Sequence, residues 1–259
     1  MFRVDTAKAH EVIADEASEE LNVAWDEYEQ LYYPDRARTY ARVLDQIPNG
    51  GGLHLLDVGS ALGWFMEMAT QRGYTTCGIE PSKEVALLGQ QRTGRPVEIG
   101  LLENTSYPGH FFHVVTMFDV LEHTINPVVC LQEVRRLLVD NGLLVVRVPD
   151  LDGLLPRVSH CLQRVTLGHY SKPVRLLWRF HRWGFNWSSL ERLFAHDGFD
   201  ILAQYGEDAQ GLSAMKYKHW ARNPIVVAGV TTIIHLSRLL GLWDERVVIA
   251  RKQSAYQSV

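Results

Sequence analysis

The 259-residue chain has few cysteines and no strong excess of one charge. Its three cysteines, Cys77, Cys130 and Cys161, lie far apart, which argues against a disulfide framework and leaves no pair at metal-ligand spacing. We therefore expect reduced thiols and a cytoplasmic protein. The net charge of −4 argues against a general affinity for nucleic acid. Residues 1–15 carry acids and no apolar core, so no signal peptide is expected.

A long uninterrupted apolar run is also lacking. The most apolar stretch, 225–243, is interrupted by His235 and Arg238, whereas a membrane span needs about 20 predominantly apolar residues. We interpret it as an amphipathic or buried helix, with peripheral contact to a membrane surface as the alternative. The composition, 46% hydrophobic and 22% charged, is that of a globular protein with a large core.

Acidic residues are absent from two long segments. None occurs in 153–190 or in 211–243, although both segments carry arginine, lysine and histidine. We interpret 151–185 and 207–245 as helical inserts in a domain that covers 49–252. Arginine pairs well with phosphate and carboxylate oxygens, so the basic residues of these segments favour an anionic small molecule as binding partner. The alternative is that they only form a solvated basic surface.

The most informative segment is an apolar strand that ends in a turn of small residues. Residues 55–58 are followed by Gly59, Ala61 and Gly63, then by a helix-length stretch and a second apolar run that ends at Glu80. This order is a βαβ unit typical of nucleoside binding. The turn allows backbone N–H groups to approach the ligand, and the acid can accept both ribose hydroxyls. The dinucleotide fingerprint G-x-G-x-x-G is absent, which disfavours a dehydrogenase.

Apolar runs continue to alternate with helix-length stretches. The predicted strands are 53–58, 74–80, 96–99, 112–118 and 143–148, with helices at 63–72, 82–93 and 126–139. This alternation predicts a parallel, doubly wound sheet whose ligands lie beyond the carboxyl ends of the strands. Residues 1–48 are expected to form an N-terminal helical cap, broken at Pro34, and 253–259 a C-terminal tail.

The segment from Asp57 to Gly63, D-V-G-S-A-L-G, resembles motif I of the class I S-adenosylmethionine-dependent methyltransferases. Residues 113–123 and 137–146 resemble the fourth strand of that family and its turn into the fifth strand, and 247–252 resembles its last strand. The L-E-H triplet at 121–123 resembles the corresponding motif of the small-molecule and ubiquinone-type branch of this family. The resemblance implies an α/β, Rossmann-like sheet of seven strands, mostly parallel with an antiparallel last strand, and helices on both faces.

The same resemblance implies S-adenosyl-L-methionine as cofactor and S-adenosyl-L-homocysteine as product. The small-residue turn would lie beneath the methionine part, and Glu80 would hold the ribose. Where the family often has an acid for the adenine amine, this chain has Leu101 and Leu102, with Glu103 further along. The predicted cofactor-binding residues are Asp57, Gly59, Ala61, Gly63, Glu80, Pro81, Leu102, Phe118 and Asp119.

Methyl transfer from a sulfonium mainly requires alignment of the acceptor and exclusion of water. A hydroxyl acceptor also needs a base, and the predicted catalytic residues are His123 and His181, because neutral imidazole is available at pH 7. The alternative for each histidine is a purely structural role, in which His123 holds its loop and His181 packs in an aromatic corner. No metal is expected. The D-x-x-E-H spacing of Asp119, Glu122 and His123 nevertheless is similar to a cluster that can hold a divalent ion in ubiquinone-type O-methyltransferases.

The leading interpretation is a methyltransferase of the EC 2.1.1 type that methylates an oxygen of an anionic, glycan- or lipid-linked small molecule. One alternative is an RNA methyltransferase, but the chain has no N-P-P-Y-type tetrapeptide and no separate RNA-binding module. Another alternative is a non-catalytic binding protein of the same fold, which the retained glycines and Glu80 disfavour. The expected partner is a small-molecule acceptor and not a nucleic acid, and the sequence gives no prediction of oligomeric state.

Overall fold

The structure is a computed structural model that describes residues 25–165, 181–207 and 224–254. In these ranges the strands are β1 (His54–Val58), β2 (Thr75–Glu80), β3 (Val97–Ile99), β4 (Phe112–Phe118), β5 (Leu138–Pro149), β6 (Phe199–Glu207) and β7 (Glu245–Lys252). They form one sheet in the order β3-β2-β1-β4-β5-β7-β6. Strands β1 to β5 pair in parallel, and β7 is antiparallel to both β5 and β6. The predicted seven-stranded sheet with an antiparallel last strand is confirmed.

Helices cover both faces of this sheet. They are α1 (Trp25–Leu44), α2 (Trp64–Gln71), α3 (Lys83–Thr93), α4 (Pro127–Leu137), α5 (Leu154–Val165), α6 (Trp187–His196) and α7 (Pro224–Leu240), with short 3₁₀ turns at Leu102–Asn104 and Leu121–His123. Successive residues of a strand point to opposite faces. In β1, Leu55 therefore packs with α1, α2 and α3, whereas Leu56 and Val58 pack with α4 and α6. The strands are buried on both faces, which explains their nearly continuous apolar runs.

The strand order reverses between β1 and β4. Because β1 connects forward to β2 on one side and pairs with β4 on the other, the carboxyl ends of β1 and β4 leave a crevice between diverging connections. Asp57, Glu80 and Phe118 lie at the carboxyl ends of β1, β2 and β4. The topology thus brings the predicted site residues to one edge.

Several predicted boundaries are wrong. Helix α1 continues through Pro34 instead of breaking there, and its aromatic side chains pack on the domain: the Tyr33 ring lies 5.2 Å from that of Trp64, and the Tyr40 ring 4.8 Å from that of Phe118. Tertiary packing of this kind outweighs the local preference of proline. Helix α4 ends at Leu137, not at 139. Strand β5 begins directly at Leu138, not at 143, because Leu138 already pairs with Phe112 of β4.

The two predicted inserts contribute α5 and α7, which pack against each other. The start of α5 is fixed to the chain that follows α7, since the Leu154 N–H donates to the Leu242 carbonyl at 3.1 Å and the Leu155 N–H to Asp244 Oδ1 at 2.9 Å. Within the described ranges, none of the helices combines the length and apolarity required to cross a bilayer. The remainder of the inserts (166–180 and 208–223), the first half of the predicted cap (1–24) and the end of the tail (255–259) lie outside the described residues.

Candidate active site

A cavity of about 250 Å³ opens at the carboxyl ends of β1, β2 and β4, beneath α1. Its wall is made by the turn after β1, the end of β2 and the loops after β3 and β4. Two predicted residues, Gly63 and His181, are not part of this wall. The predicted residues that do line it are Asp57, Gly59, Ala61, Glu80, Pro81, Leu102, Phe118, Asp119 and His123.

The turn after β1 is held to the neighbouring strand by its backbone. The N–H groups of Gly59 and Ser60 both donate to the Ile79 carbonyl, at 2.8 and 3.1 Å. Gly59 has a φ of 68°, and a Cβ there would lie 2.5 Å from Val120 Cγ2. Ala61 also adopts a left-handed conformation, with a φ of 46°, which carries a steric cost for a residue with a side chain. The turn therefore presents its backbone closely to the cavity.

Gly63 serves helix packing rather than the cavity wall. It precedes α2 with a φ of 75°, and a Cβ at this position would lie 2.5 Å from Thr93 Cγ2 on α3. The absence of a side chain at this position allows the start of α2 and the end of α3 to approach each other. This explains why a residue of the motif lies next to the cavity without lining it.

Glu80 closes the far side of the turn. Its Oε2 accepts from the Ala61 N–H and its Oε1 from the Ser82 N–H, both at 3.0 Å. A carboxylate has about four lone-pair positions, so these two bonds leave acceptor capacity toward the cavity. Burial raises the pKa of Glu80 to about 7, although the two backbone bonds oppose that effect.

Asp57 lies behind the turn at the end of β1. Its Oδ1 accepts from the Thr116 hydroxyl at 2.7 Å. Burial raises the pKa of Asp57 to about 7, the Thr116 bond opposes this rise, and the nearby Glu80 adds to it. Two carboxyl groups that change charge near neutral pH thus share one wall of the cavity.

Asp119 is held between two arginines. It follows β4 with a φ of 58°, and its carboxylate pairs with Arg147 and, at 3.1 Å, with Arg36 Nη2 of α1. Burial by itself would raise the pKa of Asp119, but the guanidinium groups of Arg147 and Arg36 outweigh it and hold the pKa below its ordinary value. Asp119 is therefore an anion that anchors α1 over the cavity.

Arg147 extends this ion pair into a buried network. It is 1% exposed on β5 and lies 3.6 Å from carboxylate oxygens of both Glu207 and Glu245. Burial raises the pKa of Glu245 to about 8, even though Arg147 opposes the rise. The Thr39 hydroxyl of α1 donates to Glu207 Oε2 at 2.6 Å. Helix α1 is thereby fixed to the sheet at two places.

The 3₁₀ turn after β4 brings together Glu122, His123 and His181. One ligand atom from each of these side chains lies within 4.8 Å of the other two. The two imidazole rings are 4.9 Å apart at a steep angle, and His123 Nε2 is 4.0 Å from Glu122 Oε1. Burial lowers the pKa of His181 to about 4, and the neighbouring His123 lowers it further. Asp119, the other residue of the D-x-x-E-H spacing, is engaged with arginines instead, and His181 lies beside Glu122 and His123 in its place.

A sequence model for a family described as a methyltransferase domain matches residues 31–204, more than half of the chain. The chain belongs to this methyltransferase family. An uncharacterised protein of Methanocaldococcus jannaschii, MJ1252, is 22% identical over 214 residues, which cover 76% of this chain and 82% of that protein.

Solved methyltransferases share the fold. A geranyl diphosphate C-methyltransferase from Streptomyces coelicolor A3(2), in complex with Mg²⁺, geranyl diphosphate and S-adenosyl-L-homocysteine, is similar with a TM-score of 0.61 and 15% identity, over 83% of this chain and 77% of that one. A SAM-dependent methyltransferase from Archaeoglobus fulgidus has a TM-score of 0.59 and 18% identity, over 89% of this chain and 100% of that one. The methyltransferase therefore has the predicted Rossmann-like fold, and its family supports S-adenosylmethionine as cofactor.

Several residues that line the cavity of this methyltransferase are not predicted from the sequence. They include Arg36 and Tyr40 of α1 and Trp64 of α2. Tyr33, Arg36 and Tyr40 recur at helical spacing, which is a signal for one shared face. That pattern is equally typical of ordinary helix packing, so the sequence alone does not assign α1 to the site.

Proposed function

We propose that this methyltransferase transfers a methyl group from S-adenosylmethionine to an oxygen of a small anionic molecule. The observation that carries the proposal is the set of residues that line the cavity described above. The cavity is lined by a buried acid and a close-approaching backbone turn, and also by an imidazole and a guanidinium, on His123 and Arg36. The acid and the turn suit a nucleoside, and the imidazole and the guanidinium suit an acidic acceptor.

The cofactor side would be held by the turn and Glu80. The remaining lone pairs of Glu80 would accept the ribose hydroxyls, and the backbone of 59–61 would lie beneath the methionine part. Leu101 and Leu102 would form an apolar wall for the adenine, and Glu103, which also lines the cavity, would be within reach of its amine. Asp57 would orient the turn or contact the methionine amino group.

The acceptor side would depend on His123. S-adenosylmethionine, when bound, supplies an electrophilic methyl group, so the protein mainly aligns the acceptor and excludes water. The His123 ring would take the proton of the acceptor hydroxyl as its oxygen forms the bond to carbon. His181 lies behind His123 rather than in the cavity wall, so we assign it a role in positioning that ring.

An anionic acceptor is supported by Arg36 and by the acid-free inserts. Arg36 lines the cavity and already binds one carboxylate, that of Asp119, in a geometry that a phosphate or carboxylate could share. The structurally similar Streptomyces enzyme has geranyl diphosphate as its bound substrate, and an anionic, lipid-like acceptor of that class would suit this chain. Arg36→Lys keeps the positive charge, whereas Arg36→Met keeps only a side chain of similar length. Comparison of the KM for the acceptor in the two variants would show whether the charge of Arg36 is what binds it.

A lipid-linked acceptor would also require access to a membrane surface. Helices α5 and α7 expose Val165 (76%), Leu239 (82%) and Leu240 (61%) in segments that contain no acidic residue. Such helices suit contact with an anionic bilayer from the cytoplasmic side. Co-sedimentation with anionic vesicles, weakened by salt, would support this part of the proposal. A complete lack of binding at low salt would remove it and leave the methyltransferase assignment untouched.

Two measurements test the proposed function. Calorimetry with S-adenosylhomocysteine should show binding at one site per chain, and a screen of phosphorylated and carboxylated hydroxyl compounds should release S-adenosylhomocysteine from S-adenosylmethionine. His123→Ala should then lower kcat by about 10²–10⁴-fold, the range of a general base. A protein that produces no binding heat with the nucleoside would contradict the proposal.

A further inference from the structure

We propose that Trp183 is a binding platform for an apolar part of the acceptor, beside the proposed anion site of the cavity. The inference rests on the proposed function, because it concerns the acceptor of the same methyl transfer. It adds to that function a residue outside the cavity wall and a second chemical requirement, an apolar ring or chain attached to the anionic molecule.

The loop after β4 changes in polarity along the cavity. Beside the strand, Asp119 pairs with Arg36 at 3.1 Å. His123 follows, and Thr124 and Ile125 complete this part of the wall before α4 begins. An acceptor whose anionic group binds Arg36 and whose hydroxyl approaches His123 would therefore meet Thr124 and Ile125 with any part that extends further along the loop.

Trp183 adjoins this last part of the wall. Its indole N–H donates to the Thr124 carbonyl at 2.9 Å, and its backbone N–H donates to the Glu122 carbonyl at 3.0 Å. Trp183 itself does not belong to the cavity lining, and it is 42% exposed. The indole ring therefore lies next to a lining residue, where the cavity wall meets solvent.

The indole ring is held by its edge. An indole N–H lies in the plane of the ring, so the bond to Thr124 engages the edge and not a face of the indole. Because the ring and the backbone of Trp183 bind the same loop, the orientation of the ring is set before any acceptor arrives. A tryptophan fixed in this way provides a large contact area at a low cost in conformational entropy.

The residues on both sides of Trp183 are held as well. The Arg182 N–H donates to the Glu122 carbonyl at 3.0 Å, and the Phe185 carbonyl accepts from the Leu151 N–H at 2.8 Å. A Cβ at Gly184 would lie 2.9 Å from Leu151 Cδ1, so the chain passes close to the loop after β5. Residues 182–185 are thus fixed to the loops after β4 and β5, and little ordering is left for an acceptor to impose.

The chemistry of this surface defines the part of the acceptor that it would bind. A hydrocarbon chain gains free energy when it leaves water for the surface of an indole, and an aromatic ring gains more by stacking on it. A bare anion would be bound only near Arg36, whereas an anion with an apolar part would be bound at two places. Trp183 should therefore determine which anions are preferred, and not whether an anion binds.

The test compares methyl, phenyl and octyl phosphate, which share a headgroup and differ in the apolar part. Calorimetry on the full chain, saturated with S-adenosylhomocysteine, should show that phenyl or octyl phosphate binds more tightly than methyl phosphate. Trp183→His keeps a ring N–H and removes most of the apolar surface, so it should weaken the tighter complex at least about fivefold and leave methyl phosphate unchanged. Trp183→Phe keeps the apolar surface without the N–H and should retain the preference. Leu202→Ala, at a 49% exposed position of the edge strand β6, is the matched control and should change none of the affinities.

The outcomes separate this inference from the proposed function. Equal affinity of the unchanged protein for the three phosphates, or no binding of phenyl and octyl phosphate, would overturn the platform. An equal loss for all three phosphates in Trp183→His, or a lost preference in Trp183→Phe alone, would show that Trp183 only holds the loop, and would overturn it too. The affinity of each variant for S-adenosylhomocysteine is measured first and should be unchanged. Failure of the unchanged protein to bind this nucleoside would contradict the proposed function, whereas normal nucleoside binding without a preference among the phosphates would contradict the platform alone.

Discussion

The carboxylate of Glu80 accepts a hydrogen bond at 3.0 Å from the backbone N–H of Ala61, a residue that itself lies in the left-handed region. The acid of the second strand thus holds the turn of the first strand in shape before any ligand is present. Loss of Glu80 should therefore damage the nucleoside site in two ways, by removing a ligand group and by releasing the turn.

We expect Glu80→Ala to weaken the binding of S-adenosylhomocysteine by about 10–100-fold, since hydrogen bonds to a charged group contribute about 1.5–3 kcal/mol. Isothermal titration calorimetry measures the change. The exposed acid Glu84 at the start of α3 provides a matched control, because Glu84→Ala should leave the affinity unaltered. An unaltered affinity in Glu80→Ala would show that the nucleoside binds elsewhere.

The affinity for the nucleoside should depend on pH near neutrality. Burial raises the pKa of Glu80 to about 7, and the protonated form accepts fewer hydrogen bonds from ribose. The dissociation constant should therefore increase up to about tenfold for each pH unit below 7 and become constant above pH 8. Calorimetry between about pH 5.5 and pH 8.5 measures the slope.

Two variants identify the group responsible for that slope. Glu80→Gln cannot ionise and should bind weakly with little dependence on pH. Asp57→Asn removes the other carboxyl group with a pKa of about 7 and should keep the slope. If Asp57→Asn is the variant that loses it, Asp57 and not Glu80 is the group whose charge controls binding.

Asp57 should lower the stability of the folded protein at high pH. Its pKa rises from 3.8 to about 7 on folding, so the folded state holds its proton more tightly, and stability falls as pH increases through that window. Asp57→Asn retains an acceptor for the Thr116 hydroxyl and carries no charge. We expect it to increase the free energy of unfolding at pH 8 by on the order of 2–4 kcal/mol, and by much less at pH 5, in urea titrations. An equal gain at both pH values would mean that ionisation is not the cause.

The conformation of Ala61 predicts opposite effects of two substitutions. Ala61→Gly removes the steric cost of a positive φ, about 1–2 kcal/mol, against an entropic cost of about 0.5–1 kcal/mol. A small rise in Tm should result. Ala61→Val should lower Tm, because a branched side chain tolerates this region poorly. Thermal unfolding measures both, and a stabilising valine would contradict the assigned backbone conformation.

Removal of Arg147 should be among the most destabilising changes in the chain. Arg147→Met would leave the carboxylates of Asp119, Glu207 and Glu245 without their shared cation, and breaking a buried ion pair from one side typically costs about 3–5 kcal/mol. The control is Arg72→Met, which breaks the exposed pair with Asp45 and should cost less than about 1 kcal/mol. Urea unfolding of the two variants should therefore give clearly different midpoints.

Much of the fold follows from local sequence patterns. The apolar runs that end at Val58, Glu80 and Phe118 are strands because they are buried on both faces, and the order of strands and helices fixes their direction. The local order of strand, small-residue turn, helix and acid also predicts the turn glycines and Glu80 as site residues. Gly59 and Glu80 line the cavity, and Gly63 lies next to it.

The remaining features depend on contacts between distant parts of the chain. Arg36 meets Asp119 only after α1 has folded over the sheet, and nothing in the sequence near Arg36 indicates that pairing. His181 lies beside Glu122 because the N–H groups of the next two residues, Arg182 and Trp183, donate to the Glu122 carbonyl across two separate loops. The continuation of α1 through Pro34 reflects aromatic packing on Trp64 and Phe118, which local propensity does not encode.

The place of β7 has a consequence for how the protein is made. This strand lies between β5 and β6, although it comes after both of them in the chain. During synthesis, one edge of β5 therefore has no partner strand until residues 245–252 have left the ribosome. The buried Arg147 also lacks its neighbour Glu245 until then. We infer that β6 and β7 join the sheet only after β7 has been synthesised, so the sheet is completed late in folding.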